Sequence, residues 1–448
     1  MHCLQIRLNA MTLLIMRVLL LSSIGALAAC ATQSSPFQAL PNANLRAPSL
    51  SIAAQEQAID ITMPLTSEAL AAIAVFTNPD LKALRAREEV AFAQVFAAGL
   101  YPDPNFSFGI EAPINGSGLV SALTGGLGFD LATLVNRPIN IRGARANLES
   151  VRFDIAWAEW LTGEQARLLS SRIVQLRTIK TMTAQLRTYA DEDLGRALRA
   201  SSRGDLPAVA VEARRLAATD AADRDRSAQL QLKSAQLDLN RLLGIDPNEL
   251  LVLAPPVIST KHLPPSEALY SIAVEKRADL RGLRAAYDGS RAVLDLAHRA
   301  AYPLPTLGLT FARDTSNFRT FGPSVSFTLP IWNRGRGEVA LAETNQRQLY
   351  AEYHARLETV RADIAAARAA LEITRAQRAD VTREIQPLLP QADADDRAAA
   401  RGDLAQSSAT AAHMTVLDKQ IVEAGLALAE AELEIALEIS TGQILETN

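Results

Sequence analysis

Cysteine is nearly absent: the 448 residues contain Cys3 and Cys30 and no others. A chain trimmed at Cys30 therefore has no partner for a disulfide, even in an oxidising compartment. Histidine is also scarce, and His2, His262, His298, His354 and His413 form no close pair with metal-ligand spacing. His413 stands alone in its helix, as a surface or seam residue does. No Gly-rich phosphate loop, nucleophile elbow or paired catalytic carboxylate occurs, so the chain is expected to be no enzyme and to hold no cofactor or metal. The formal net charge of -4, with Arg and acidic residues interspersed, leaves no basic stripe for nucleic acid. Aromatics amount to 5% of the residues, too few for a thick globular core, whereas the apolar total is 48% and rich in Ala and Leu. That mixture suits long helices with narrow apolar seams.

The N-terminus is specific. Arg17 precedes VLLLSSIGALAAC, an apolar run too short to remain as a bilayer-spanning helix, and it ends in small residues. Residues 1–29 read as a secretory signal, with Met11 and Met16 as alternative starts to Met1. Leu27-Ala28-Ala29-Cys30 resembles a bacterial lipobox, which predicts cleavage before Cys30 and a covalent lipid on it as the only attached group; the simpler reading is an ordinary signal with an incidental cysteine. Ala31 after Cys30 resembles the sorting pattern of outer-membrane lipoproteins. Residues 30–66, rich in Ser, Pro, Asn and Gln, read as a tether.

Beyond the tether the chain repeats itself. NPDLKALRA at Asn78 is answered by RADLRGLRA at Arg277, LYPDPNFSFGI at Leu100 by AYPLPTLGLTF at Ala301, and NIRGARA at Asn140 by NRGRGEVA at Asn333. Arg203-Gly204-Asp205-Leu206 returns as Arg401-Gly402-Asp403-Leu404, and the runs close at LLG (Leu242) and STG (Ser440). All offsets are close to two hundred residues. The boundaries that follow are a first repeat at 67–250, a linker at 251–266 and a second repeat at 267–445.

Each repeat carries two period-two segments between its helices. One face holds Phe106, Phe108 and Ile110, then Leu127, Phe129 and Leu131; its counterparts are Leu307, Leu309 and Phe311, then Val325, Phe327 and Leu329. These are four expected strands, long enough to cross a bilayer when tilted, with loops at Pro113 to Gly126 and Asp314 to Gly322. A membrane barrel needs at least eight strands and tolerates no open edge. Either several copies pool their strands or the segments form a soluble sheet.

The rest is helix. Apolar three- and four-residue spacing runs from about Ala144 to Ala200, some 85 Å, and from Arg336 to Ala399, interrupted at Pro387 and Pro390. After each Arg-Gly-Asp a returning helix carries a seven-residue spacing, at Leu216, Leu230 and Leu237 and at Ile421, Leu428 and Ile435, as antiparallel helical hairpins do. Gly204 and Gly402 are expected at the reversals, with Asp205 and Asp403 as N-caps of the returning helices.

The lipobox, the tandem copies of helix, two strands and helical hairpin, the run LPIWNRGRGEVALAE from Leu329 and the twin RGDL reversals together resemble the outer membrane efflux protein family typified by TolC. The LPIWNRGRG form is similar to the CzcC-like branch that serves heavy-metal exporters. The resemblance covers essentially the whole mature chain. It implies a mainly α fold with membrane β: a homotrimer whose twelve-stranded β-barrel continues into a twelve-helix periplasmic α-barrel. Its implied role is the outer membrane channel of a tripartite efflux system, lipid-anchored in the Gram-negative outer membrane. The apolar strand residues named above would face outer membrane lipid, with Ser107, Gly109, Asp130, Thr310, Ser326 and Thr328 toward the lumen. Tyr101, Tyr302 and Trp332 would sit at the membrane interface or pack on the helices. The implied partners are a periplasmic adaptor protein and an inner membrane pump of the resistance-nodulation-division type. By position, Gly204, Asp205, Leu206, Gly402, Asp403 and Leu404 become the adaptor contacts, with helix capping as their simpler use. The acidic gate of the family's TolC branch, six and nine residues past the second tip glycine, is replaced by Ser408 and Ala411. Asp205 and Asp403 are the remaining acidic candidates at the entrance. A lipid-anchored periplasmic scaffold without a pore is the alternative.

Overall fold

The computed structural model describes residues 48–55, 59, 63–116, 118–255, 263–302 and 304–445. Cys30, the signal segment 1–29 and most of the tether lie outside the described residues. Among those described the order is α1 (Leu50–Gln55), α2 (Ser67–Thr77), α3 (Pro79–Gly99), β1 (Asn105–Glu111), β2 (Ala122–Asp130), α4 (Leu131–Ser202) and α5 (Ala208–Leu243). The second repeat follows with α6 (Ser266–Lys276), α7 (Ala278–Ala300), β3 (Thr306–Arg313), β4 (Arg319–Ser326), α8 (Arg336–Arg401) and α9 (Gln406–Thr441). From α2 onward the second half copies the first, element for element. The fold class is mainly helical with long helices and four antiparallel strands.

The long helices, of 72 and 66 residues, each extend about 100 Å at 1.5 Å per residue. α4 starts thirteen residues before the expected Ala144, because Asp130 caps it: its carboxylate accepts the Ala132 N–H at 2.9 Å and the Thr133 N–H at 3.4 Å. Leu131, expected in a strand, therefore opens the helix, while Asp130 stays the last residue of β2, opposite Thr306, and serves as the cap as well. Pro387 and Pro390 do not interrupt α8. Both are exposed, so the carbonyls of Arg383 and Gln386 that lose an N–H partner face water.

The sheet is antiparallel in the order β1-β2-β3-β4. β4 ends at Ser326, opposite Thr306, which leaves Phe327, Thr328 and Leu329 beyond the strand. Pro305, directly before Thr306, has no N–H with which to continue the ladder, which explains the stop. At the other end β2 begins at Ala122 and β4 at Arg319, inside the segments expected to be loops.

The long helices form a row. α5 packs on α4, α4 on α9, and α9 on α8, while nearer the sheet α3 packs on α4, α4 on α7, and α7 on α8. One apolar cluster joins Leu70 and Ile73 of α2 to Leu169 and Ile173 of α4 and to Leu239 and Leu243 of α5. A second joins Leu269 to Val360, Ile364, Leu371 and Leu437 in the other repeat. A third, nearer the reversals, joins Leu186, Ala190, Ala218, Ala221 and Leu417.

The hairpin seams differ from expectation in one half. In α9, Ile435 is buried and Ile421 and Leu428 pack against the clusters. In α5 the buried seven-residue series are Val211, Ala218 and Asp225, and Ala221, Ala228 and Ala235, whereas Leu216 and Leu230 are 71% and 73% exposed. Small alanines let α5 approach α4 closely, and the leucine series is turned away from its own hairpin.

Candidate functional site

The helical reversals are built identically. At the end of α4 the Asp205 N–H donates to the Ala200 carbonyl at 3.0 Å and the Gly204 N–H to that of Ser201 at 2.9 Å. At the end of α8 the Asp403 N–H reaches Ala398 at 2.9 Å and the Gly402 N–H reaches Ala399 at 3.0 Å. Both are Schellman closures that require a left-handed residue, which Gly204 (φ 84°) and Gly402 (φ 83°) supply. The aspartates do not cap the returning helices, whose N-caps are Pro207 and Ala405 without a side-chain bond. Instead Arg203 Nε donates to Asp205 at 3.0 Å and Arg401 Nε to Asp403 at 2.9 Å. Each tripeptide therefore neutralises its own carboxylate across the glycine. Leu206 and Leu404 are half-buried beside these exposed pairs.

The sheet has two unlike faces. Register places Phe106, Leu127, Leu309 and Pro323 in one row, Phe108, Gly125, Phe311 and Phe321 in the next, and Phe129, Leu307 and Val325 in a third. All share one face because strand residues alternate. The other face carries Ser107, Gly109, Thr124, Gly126, Gly128, Gly308, Thr310, Gly322, Ser324 and Ser326. On the apolar face Phe106 is 70% and Phe321 76% exposed, and the Phe311 ring covers Gly125, where an added Cβ would lie 2.1 Å from ring carbons. Leu127 and Phe129 lie in β2 as expected; Leu131, Phe327 and Leu329 fall outside the strands.

The open edges lie on corresponding sides. β1, α3 and α5 terminate one margin of the row, and β4 and α8 the other. The first margin exposes Val90, Phe92 and Phe96 of α3 and the series Val209, Leu216, Leu230 and Leu237 of α5. A head-to-tail contact between such margins is of the heterologous type, which generates a ring where the rotation closes and a filament where it does not.

A ladder of ion pairs runs along α9. Glu438 accepts from Arg167 at 2.6 Å and Glu432 from Arg172 at 2.6 Å, tying α9 to α4. Glu430 accepts from Arg375 and Arg378, both at 2.9 Å, and Glu423 from Arg378 at 2.7 Å, tying α9 to α8. Arg167 also bonds Glu164 at 2.9 Å. Burial pushes the Glu164 carboxyl up to about 7, against the opposing attraction of Arg167. Burial likewise raises Glu434. The signal was present in the run EAELEIALE at Glu430, where acids interrupt an otherwise apolar helix.

Among the described residues no group of three His, Cys, Asp or Glu side chains could hold a metal ion, and no helix is long and apolar enough to cross a membrane. His413 bonds Asp396 at 2.5 Å and stacks on Tyr189 with centroids 5.6 Å apart, which ties α9 to α8 and α4.

No family model and no curated protein matches the chain. Solved structures do. The CmeC outer membrane channel of Campylobacter jejuni is 17% identical over 92% of this chain and 96% of its own, with a TM-score of 0.69. CusC, whose structures concern folding and transmembrane channel formation, is 16% identical over 92% and 99%, with a TM-score of 0.68. The outer membrane protein VceC of Vibrio cholerae is 16% identical over 85% and 97%, with a TM-score of 0.67. The chain has the fold of TolC-family outer membrane channels.

Proposed function

We propose that the chain is the channel subunit of a tripartite export system in the Gram-negative outer membrane, working as a homotrimer. The observation that carries this reading is the open sheet with one exposed face that is apolar from the Phe129 row to the Phe108 row. Four strands cannot seal their edges in lipid, and three copies of four, joined β1 to β4, make a twelve-stranded barrel with the Gly, Ser and Thr face around water. The same operation brings the exposed α5 leucines against α8 of the next copy. The structural relatives are outer membrane channels, which supports the reading.

In this role the chain is a passive conduit and catalyses nothing. The half-buried Leu206 and Leu404 beside the Arg-Gly-Asp pairs offer an exposed end for a periplasmic adaptor, and an inner membrane pump supplies the energy. With Asp205 and Asp403 already paired, the acidic mouth is weak. Entrance control falls instead to the contacts between hairpins, Arg196 to Thr410 at 2.6 Å and Arg224 to Asp418 at 2.9 Å among them. Cys30 carries the lipid anchor. Heavy-metal cations are one cargo class, with drugs and peptides the others, since a wide aqueous duct leaves selection to the pump.

The test is planar-bilayer conductance together with heat-modifiable migration of the full chain. Stable conductance from a heat-dissociable trimer is expected, while a non-conducting monomer would favour the periplasmic scaffold. Replacing Gly204 and Gly402 with Leu should cripple export and leave the trimer assembled; normal export would remove the tips from the account.

A further inference from the structure

The apolar face of the sheet does not end in apolar residues. Its last row, on the hairpin side away from the helices, reads Ile110, Leu123, Arg313 and Arg319 across the strands. Arg313 continues the series Leu307, Leu309 and Phe311, and Arg319 begins the series Phe321, Pro323 and Val325, so both share the face that those residues define. They are direct cross-strand partners. Like charges placed opposite one another destabilise a sheet, and they come to within about 5 Å at Cβ.

Nothing among the described residues compensates them. Neither arginine forms an ion pair, Arg313 Nε is buried without a hydrogen-bond partner, and Arg313 Nη2 donates only to the Ser121 carbonyl at 2.9 Å. The nearest carboxylate in sequence, Asp314, is engaged by the Phe318 N–H at 2.9 Å, which closes the hairpin. Two unneutralised guanidinium groups therefore stand where a lipid-covered surface meets its polar boundary, one with a desolvated donor unused. Guanidinium groups bind phosphate through paired N–H donors, and a bridging anion turns their mutual repulsion into attraction.

The geometry points to Arg313 and Arg319 as a binding site for the phosphate of an anionic lipid headgroup, on the membrane leaflet farther from the helices. The lipid's acyl chains would lie along Phe311, Phe321 and Leu309. The assignment rests on the membrane reading of the sheet given above.

The test titrates the full-length protein in non-ionic detergent with phosphatidylglycerol or phosphatidylcholine, counting bound lipid by native mass spectrometry. Wild type is expected to saturate at lower concentrations of phosphatidylglycerol than of phosphatidylcholine. Arg313→Gln and Arg319→Gln should each raise the half-saturating concentration about fivefold, and the double variant on the order of 25-fold. Arg313→Lys with Arg319→Lys should retain most of the preference, and Arg347→Gln, on a helix, should change nothing. Equal binding by wild type and the double glutamine variant would overturn the proposal. So would displacement of the lipid by inorganic phosphate at matched phosphorus concentration, which would make this a site for a soluble anion. Planar-bilayer conductance separates the two levels. Conductance in both proteins with no anionic preference overturns the lipid site alone, whereas a wild type silent in every lipid overturns the channel reading and the site with it.

Discussion

Glu164 shows how a single carboxyl is set by its surroundings. It lies on α4 beside Arg167, which also serves Glu438 of α9, with Glu68 of α2 within the same field. Burial raises it from 4.5 to about 7, so across that interval the folded chain holds a proton that the unfolded chain has released. Its contribution to stability is complete below pH 4.5 and is lost as pH rises through about 7. Glu164→Gln should flatten this fall and stabilise the protein at neutral pH by at most about 3 kcal/mol. Thermal melts at a series of pH values check it, and an unchanged slope would contradict the burial argument. At the tips, open space surrounds the Cβ position of Gly204 and Gly402, so only the left-handed backbone resists substitution. Gly204→Ala should cost about 1 kcal/mol, read as faster hydrogen exchange at residues 200–206 with the rest of α4 unaffected. The reversals were legible because a repeated Arg-Gly-Asp needs a backbone reason. The use of the aspartates was not, because Pro207 and Ala405 already take the cap positions and leave each Asp to the nearer arginine.

Among the elements, α5 separates two kinds of seam. Its alanines face α4 and its leucines face outward, though both recur every seven residues. Periodicity announces a seam without saying which partner fills it; side-chain size and the neighbouring helix decide that. Ala228→Leu should overfill the hairpin and cost about 1 to 3 kcal/mol of stability, read as a lower melting point. Leu216→Glu with Leu230→Glu should leave the helicity of the hairpin intact while abolishing the trimer, as sedimentation in detergent would show. If the trimer persists, the exposed series is no contact between copies. In the sheet, Gly125→Val would drive a side chain into the Phe311 ring, and the proposed trimer should fail to assemble even though the helices remain folded, as unheated electrophoresis would show. The strands themselves were readable from alternation, but their ends were not. Asp130 turns the chain into α4 by capping it, and Pro305 ends the β3 to β4 ladder; both are local effects that a period-two pattern does not contain.

For the molecule as a whole, duplication determines the layout. The two repeats reach the same contact through different chemistry: Thr77 Oγ1 and Asn78 Nδ2 donate to the carbonyls of Leu243 and Leu242 at 2.7 and 2.9 Å, while Arg277 Nη1 donates to that of Ser440 at 3.0 Å. The order of elements was therefore legible from the repeated motifs, although the residues performing matching tasks differ. The partners in the α9 ion-pair ladder were not legible, since pairing of Glu438 and Glu432 with Arg167 and Arg172 depends on how two hairpins align. What remains is closure: a single copy has matching free margins and an uncovered apolar face. The most direct measurement is the conductance of the purified full chain in planar bilayers, with its mass determined in the same detergent. The account predicts steady conductance from a particle of three copies; a single copy that conducts nothing and stays dispersed without detergent would contradict it.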